Sequence, residues 1–328
     1  MFIEQAYKGK NEFWRYLIGS LVIGGTAIIG QLLFMFAIAI KVGFDDNGIW
    51  DTANLSKLQT FTESDFMRVF DSNITLLLLL SSFALGFCAL LLVIKYFHHQ
   101  KFIELTTTRS KFDWGRAFFA FGMIAIFTIG TTAIDYYFNP DDYQLNFQLG
   151  PFLILCVISI VFIPIQTSLE EYIFRGYLMQ GFGILAKNRW FPLVMTSVIF
   201  GSMHLFNPEV TKLGYIIMIY YIGTGFLLGV MTLMDEGMEL ALGFHAGNNM
   251  IAALLVTADW TAFQTESILK DVSDPSAGFD ILIPVLIVYP IFLAILAYRY
   301  KWTGWKDKLF GKLEPPIQTN FPEKLTAD

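Results

Sequence analysis

The stretch SLEEYIFRGYLMQ, residues 168–180, closes an apolar run that begins near residue 148. Ionisable residues at the end of such a run are costly in hydrocarbon unless they are paired or do chemical work. Glu171 and Arg175 stand at i and i+4 in the favourable order for a helical ion pair. Glu170 is turned by about 100° from Glu171 on a helix, so it is left for another partner. The pattern predicts one structural pair and one working carboxylate. Its bland counterpart is a set of interfacial anchors at a span end.

The rest of the chain supplies the setting. Mean hydropathy is +0.54; 55% of the 328 residues are hydrophobic and 15% charged, against about 25% charged in a soluble domain. Apolar runs near 14–40, 74–94, 117–137, 148–169, 190–206, 214–234, 239–257 and 281–298 read as about eight spans, since roughly 20 residues cross a hydrocarbon core. The expected fold is an all-α polytopic membrane helix bundle over 1–301, followed by a mobile basic cytoplasmic tail over 302–328. With both termini cytoplasmic, sixteen of the 22 Lys and Arg fall inside and five outside, and Arg175 borders a span.

The net charge of -6 is carried by outer segments: DDNGIWD at 45–51, NPDDYQ at 139–144, and Asp259, Glu266, Asp271, Asp274 and Asp280. These read as solvated loops, and no nucleic-acid partner is expected. There is no internal repeat of the kind secondary transporters carry. The N-terminal apolar run lacks a cleavage site, so the first helix is expected to be retained. Cys88 and Cys156 read as packing residues, His98 and His99 with Lys95 and Lys101 as headgroup anchors, Gly225 and Gly229 as helix packing, and Tyr215, Tyr220 and Tyr221 as an interfacial aromatic band.

Two further pairs share helical faces: Phe200 with His204, and His245 with Asn249, the latter flanked by Gly243 and Gly247. Counted from the turn at Lys187, Glu170 lies 17 residues back and His204 17 forward, which puts them at one level of an antiparallel hairpin. His245 is 9 residues from Glu236; the offset of about 12 Å closes if the first hairpin projects beyond the membrane.

Glu170-Glu171-x-x-x-Arg175, Phe200-x-x-x-His204 and His245-x-x-x-Asn249, in that order on separate helices within about residues 165–255, look like the three motifs of the CPBP family. These are the CAAX prenyl endopeptidases and bacteriocin-processing enzymes also called Abi. The resemblance implies an eight-helix intramembrane peptidase acting on a membrane-anchored peptide or protein. Glu170 would activate water, His204 would position and polarise it, and His245 and Asn249 would stabilise the oxyanion. Glu171, Arg175 and Phe200 would support them. Glu170, His204 and His245 could also supply three zinc ligands with one open position, yet HExxH spacing is absent, so the expected mechanism needs no cofactor and Zn2+ is kept as an option. The expected setting is the lipid bilayer of a bacterial plasma membrane, with the site toward the cytoplasm. A non-catalytic immunity or scaffold protein is the second reading, and a proton-coupled transporter the third.

Overall fold

Lipid offers no partner to backbone N–H and C=O groups, so apolar runs in a membrane must satisfy them internally, as helices. In the computed structural model, which describes residues 1–44, 48–61, 63–275, 278 and 281–315, the chain does so along most of its length. The order is α1 (Phe13–Gly43), α2 (Glu63–Met67), α3 (Ser72–Leu92) prolonged by a π-turn (Val93–Phe97), α4 (Phe102–Thr106) and α5 (Trp114–Phe138). There follow α6 (Leu149–Glu171), a π-helical segment (Tyr172–Leu178), α7 (Met179–Ala186), α8 (Trp190–Ser202) and α9 (Pro208–Leu213). The last are α10 (Ile217–Asp235), α11 (Glu239–Leu255), a π-turn (Pro284–Val288), α12 (Tyr289–Tyr300) and α13 (Trp305–Phe310).

The chain is an all-α polytopic membrane protein, but its helices are unequal. Among the described residues five are long and apolar enough to cross a membrane: Phe13–Gly43, Ser72–Phe97, Trp114–Phe138, Leu149–Ala186 and Ile217–Asp235. The other expected spans are helical but shorter. α8 has 13 residues, about 20 Å at 1.5 Å each. It stops before Asn207-Pro208, where the pre-proline residue is pushed out of helical geometry. Leu149–Ala186 has 38 residues, about 57 Å, and projects well past a hydrocarbon core of about 30 Å.

That projecting end is clothed by both described chain ends. Gly181 lies against Tyr16, and Gly183 against Ile3 and Leu313, so a larger side chain there would displace them. Arg189 pairs with Glu4 at 3.1 Å and donates to the Asp307 carbonyl at 2.9 Å. Leu313 N–H donates to the Lys187 carbonyl at 2.9 Å. The tail expected to be mobile from Trp302 is therefore folded as far as Leu313. Trp302 and Leu313 are buried, and these two apolar side chains anchor a segment that reads as basic. Residues after Pro315, including Lys324, lie outside the described residues.

His98 departs from its expected place as well. It is buried rather than facing headgroups, with Nδ1 on the Lys10 carbonyl at 2.7 Å and Nε2 on the Tyr177 hydroxyl at 2.8 Å. His99 is exposed, and Cys88 is exposed as well instead of packed in the core. At the opposite face, β1 (Tyr143–Leu145) pairs antiparallel with β3 (Leu269–Asp271), which pairs parallel with β2 (Val256–Ala258). Asp259 there bridges Lys270 at 2.9 Å and Arg68 at 3.3 Å. Asp45, Asp46 and Asp280 lie outside the described residues.

Candidate functional site

Glycines bring the relevant helices together. A Cβ at Gly225 of α10 would meet the Ser197 backbone of α8, and one at Gly243 or Gly247 of α11 would meet the backbone of α5. Gly229 packs on Leu193 in the same α8–α10 seam, so the GxxxG reading as packing holds. The Gly225 carbonyl has a second use: it accepts a hydrogen bond from Arg175 Nη2 at 3.2 Å.

Arg175 sits in the π-helical segment, wholly buried, with Nη1 2.9 Å from Glu171 Oε1, itself wholly buried. Its guanidinium lies 4.2 Å from the Phe200 ring centroid, a cation–π contact out of water. The expected ion pair is thus present. Glu171 has a further partner that spacing did not reveal: His245 Nδ1, at 2.8 Å from the same Oε1. The other imidazole nitrogen, Nε2, faces Glu170 Oε2 at 3.5 Å. One histidine on α11 therefore stands between two consecutive glutamates of α6. Because a carboxylate paired with a guanidinium only accepts, the Nδ1 proton is assigned to the bond with Glu171. For Nε2 to donate as well, the ring must carry both protons.

Glu170 differs from its neighbour in exposure, 17% against 0% for the side chain. Its Oε1 accepts from Gln166 Nε2 at 2.5 Å. Gln166 Oε1 in turn accepts from Asn249 Nδ2 at 3.3 Å, and Asn249 Oδ1 from Asn248 Nδ2 at 3.1 Å. Gln166 and Asn248 were not among the candidate residues. Gln166 is a polar residue in an apolar run, four positions before Glu170 and so on its helical face; that was the available signal.

His204 lies just beyond the end of α8, half-buried. Its Nδ1 bonds the Phe200 carbonyl at 2.9 Å, and its ring stacks on Tyr221 with centroids 4.3 Å apart. Tyr221, expected in an interfacial band, is thus a wall of the site. Phe200 packs on both imidazoles, 4.9 Å from His204 and 5.9 Å from His245 between centroids. Among the described residues no hydrogen bond joins His204 to Glu170 or His245. Nor does any group of three or more His, Cys, Asp or Glu among them stand as a metal would need. Glu170, His204 and His245 do not fit a three-ligand zinc site in this arrangement, and no step below runs through a metal.

Fold and site together define a polytopic membrane protein with a glutamate, histidine and carboxamide centre held between its helices. Residues 149–251 match the family model described as Rce1-like, type II CAAX prenyl endopeptidase. The chain is 30% identical over 251 residues to the uncharacterized protein YyaK of Bacillus subtilis (strain 168), covering 76% of this chain and 80% of that protein. The chain belongs to the Rce1-like family. No solved structure matches it.

Proposed function

We propose that this protein is an intramembrane endopeptidase that hydrolyses a peptide bond of a membrane-anchored protein or peptide. The observation that supports this most is Glu170: a part-open carboxylate, with a polar chain through Gln166 and Asn249 on one oxygen and His245 on the other. In this mechanism Glu170 takes a proton from water as the oxygen attacks the scissile carbonyl carbon. His204 positions that water. The tetrahedral oxyanion is met by the second N–H of Asn249 and by the His245 imidazole, an arrangement in which preorganised donors supply the larger share of rate. Glu170 then delivers its proton to the departing nitrogen as the C–N bond breaks, leaving a carboxylic acid and an amine.

Glu171 and Arg175 hold His245 and Phe200 and do not touch the reacting atoms. The setting we propose is a bacterial plasma membrane with the site toward the cytoplasm. Supporting this, the basic residues Lys8, Lys187 and Lys306 gather with both described chain ends at one face. The test uses purified protein, Glu170→Ala and His204→Ala, each with and without chelator, on membrane-anchored peptides read by mass spectrometry. Product from the parent alone, with or without chelator, is expected. Equal cleavage by folded Glu170→Ala would end the proposal.

A further inference from the structure

Amide side chains are ambiguous until something fixes which end is oxygen, and here Glu170 fixes it. An ionised carboxylate can only accept, so Gln166 must present its NH2 group to Glu170 Oε1, at 2.5 Å. Its oxygen is then directed at Asn249, which must offer its own NH2 group across 3.3 Å. The Asn249 oxygen is left to accept from Asn248 at 3.1 Å. The chain Asn248, Asn249, Gln166, Glu170 therefore runs in one direction, each donor turned toward the negative end, and such chains polarise one another in a low dielectric. Asn249 spends one N–H on Gln166 and keeps the second, on a side chain that is only part-buried. Gln166 is nearly inaccessible to solvent, so water does not substitute for either of its bonds.

We propose that Gln166 is a positioning residue that holds the water-activating carboxylate and the oxyanion carboxamide in one directional hydrogen-bond chain, an inference that rests on the peptidase function above. It touches neither water nor substrate; it acts through Glu170 and Asn249. Its loss removes a hydrogen bond to a charged group on one side and frees the Asn249 amide to rotate on the other. Both consequences fall on the transition state more than on substrate binding.

The experiment compares full-length protein with Gln166→Met, which keeps the length and removes both bonds, and Gln166→Glu, which keeps the acceptor toward Asn249 and sets a second carboxyl against Glu170, so that the two share a proton and the base is blunted. On a peptide cleaved by the parent, kcat is expected to fall about 10- to 100-fold in each, with KM within about twofold. Combining Gln166→Met with Asn249→Ala should cost little more than Asn249→Ala alone, because the two act as a unit. A merely structural residue would lower the amount of folded protein and leave kcat per folded molecule intact. Unchanged kcat in folded Gln166→Met or Gln166→Glu, while Glu170→Ala is inactive, overturns the inference; so do losses that simply multiply with Asn249→Ala. Retained activity in Glu170→Ala would instead overturn the peptidase function itself. If Gln166→Met does not fold, Gln166→Glu carries the same test.

Discussion

The bundle buries two sets of charges, and they are finished differently. Where α5, α10 and α11 meet the folded tail, Asp235 receives Arg109 at 2.9 Å, Arg116 at 2.6 Å and the Trp302 indole at 3.0 Å. Glu239 receives Arg109 at 3.1 Å, and Arg116 also bonds Asp113. Among the described residues none of the buried side-chain polar atoms of Arg109, Arg116, Asp235 or Glu239 lacks a partner. At the site between α6, α8 and α11, Glu171 Oε2 and Arg175 Nε have none, and Glu170 is part-open. Among the described residues the first network is partnered at each of its buried polar atoms and serves as a clamp. An open one holds polar capacity in reserve, which an architecture built only for stability would fill with apolar groups.

The largest contrast should appear in activity. Glu170→Gln is expected to lower cleavage by about 10²- to 10⁴-fold, the usual weight of a general base, while the protein unfolds at nearly the parental temperature in detergent. Asp235→Ala should do the opposite, losing about 3–5 kcal/mol in reversible unfolding because two arginines are left facing an empty position. Kinetics and unfolding on the same preparations check both. If Glu170→Gln destabilised the fold as much as Asp235→Ala, the two clusters would be of one kind.

Arg175→Ala sharpens the comparison from within the site. It strands Glu171 in a buried position with His245 as its remaining described partner, so a loss of about 3–5 kcal/mol is expected, measured by the same unfolding assay. Smaller again is Gly225→Val, whose side chain would push against the Ser197 backbone. Overpacking of this sort costs typically about 1–3 kcal/mol. It should also reduce activity, because α10 carries both the Gly225 carbonyl that holds Arg175 and the Tyr221 ring under His204.

What could be read in the residues followed the reach of helical periodicity. The Glu171–Arg175 pair is local, four residues apart on one helix, and is found where its spacing put it. The contact of His245 with both glutamates depends on the relative depth and rotation of α6 and α11, which sequence separation does not specify. The π-helical segment Tyr172–Leu178 adds to this, since it changes which face follows Glu171 and nothing in an apolar pattern marks it. Tyr221 was hidden for the same reason: it becomes a site residue only because α8 stops at Ser202 and lets the His204 ring turn onto it. The tail was misjudged through averaging, its basic composition outweighing the buried Trp302 and Leu313 that dock it.

The smallest expected effect concerns pH, and it lies outside both clusters. His98 joins the N-terminal segment to the π-helical segment through the Lys10 carbonyl and the Tyr177 hydroxyl. Burial pushes its pKa below the ordinary histidine value, and the bond to the Lys10 carbonyl opposes that only in part. The folded protein therefore resists a proton that the unfolded chain accepts. As pH falls through the unfolded value, about 6.5, the unfolded state binds more protons and stability declines. Above that range both states leave the ring neutral and the contribution is constant. His98→Gln keeps hydrogen-bonding capacity but cannot titrate, so its unfolding free energy should vary less between pH 7.5 and pH 5.5 than the parent's, by a fraction of a kcal/mol. An identical pH slope in the two proteins would show that His98 takes up its proton as readily folded as unfolded, and that the seam it joins opens to water without cost.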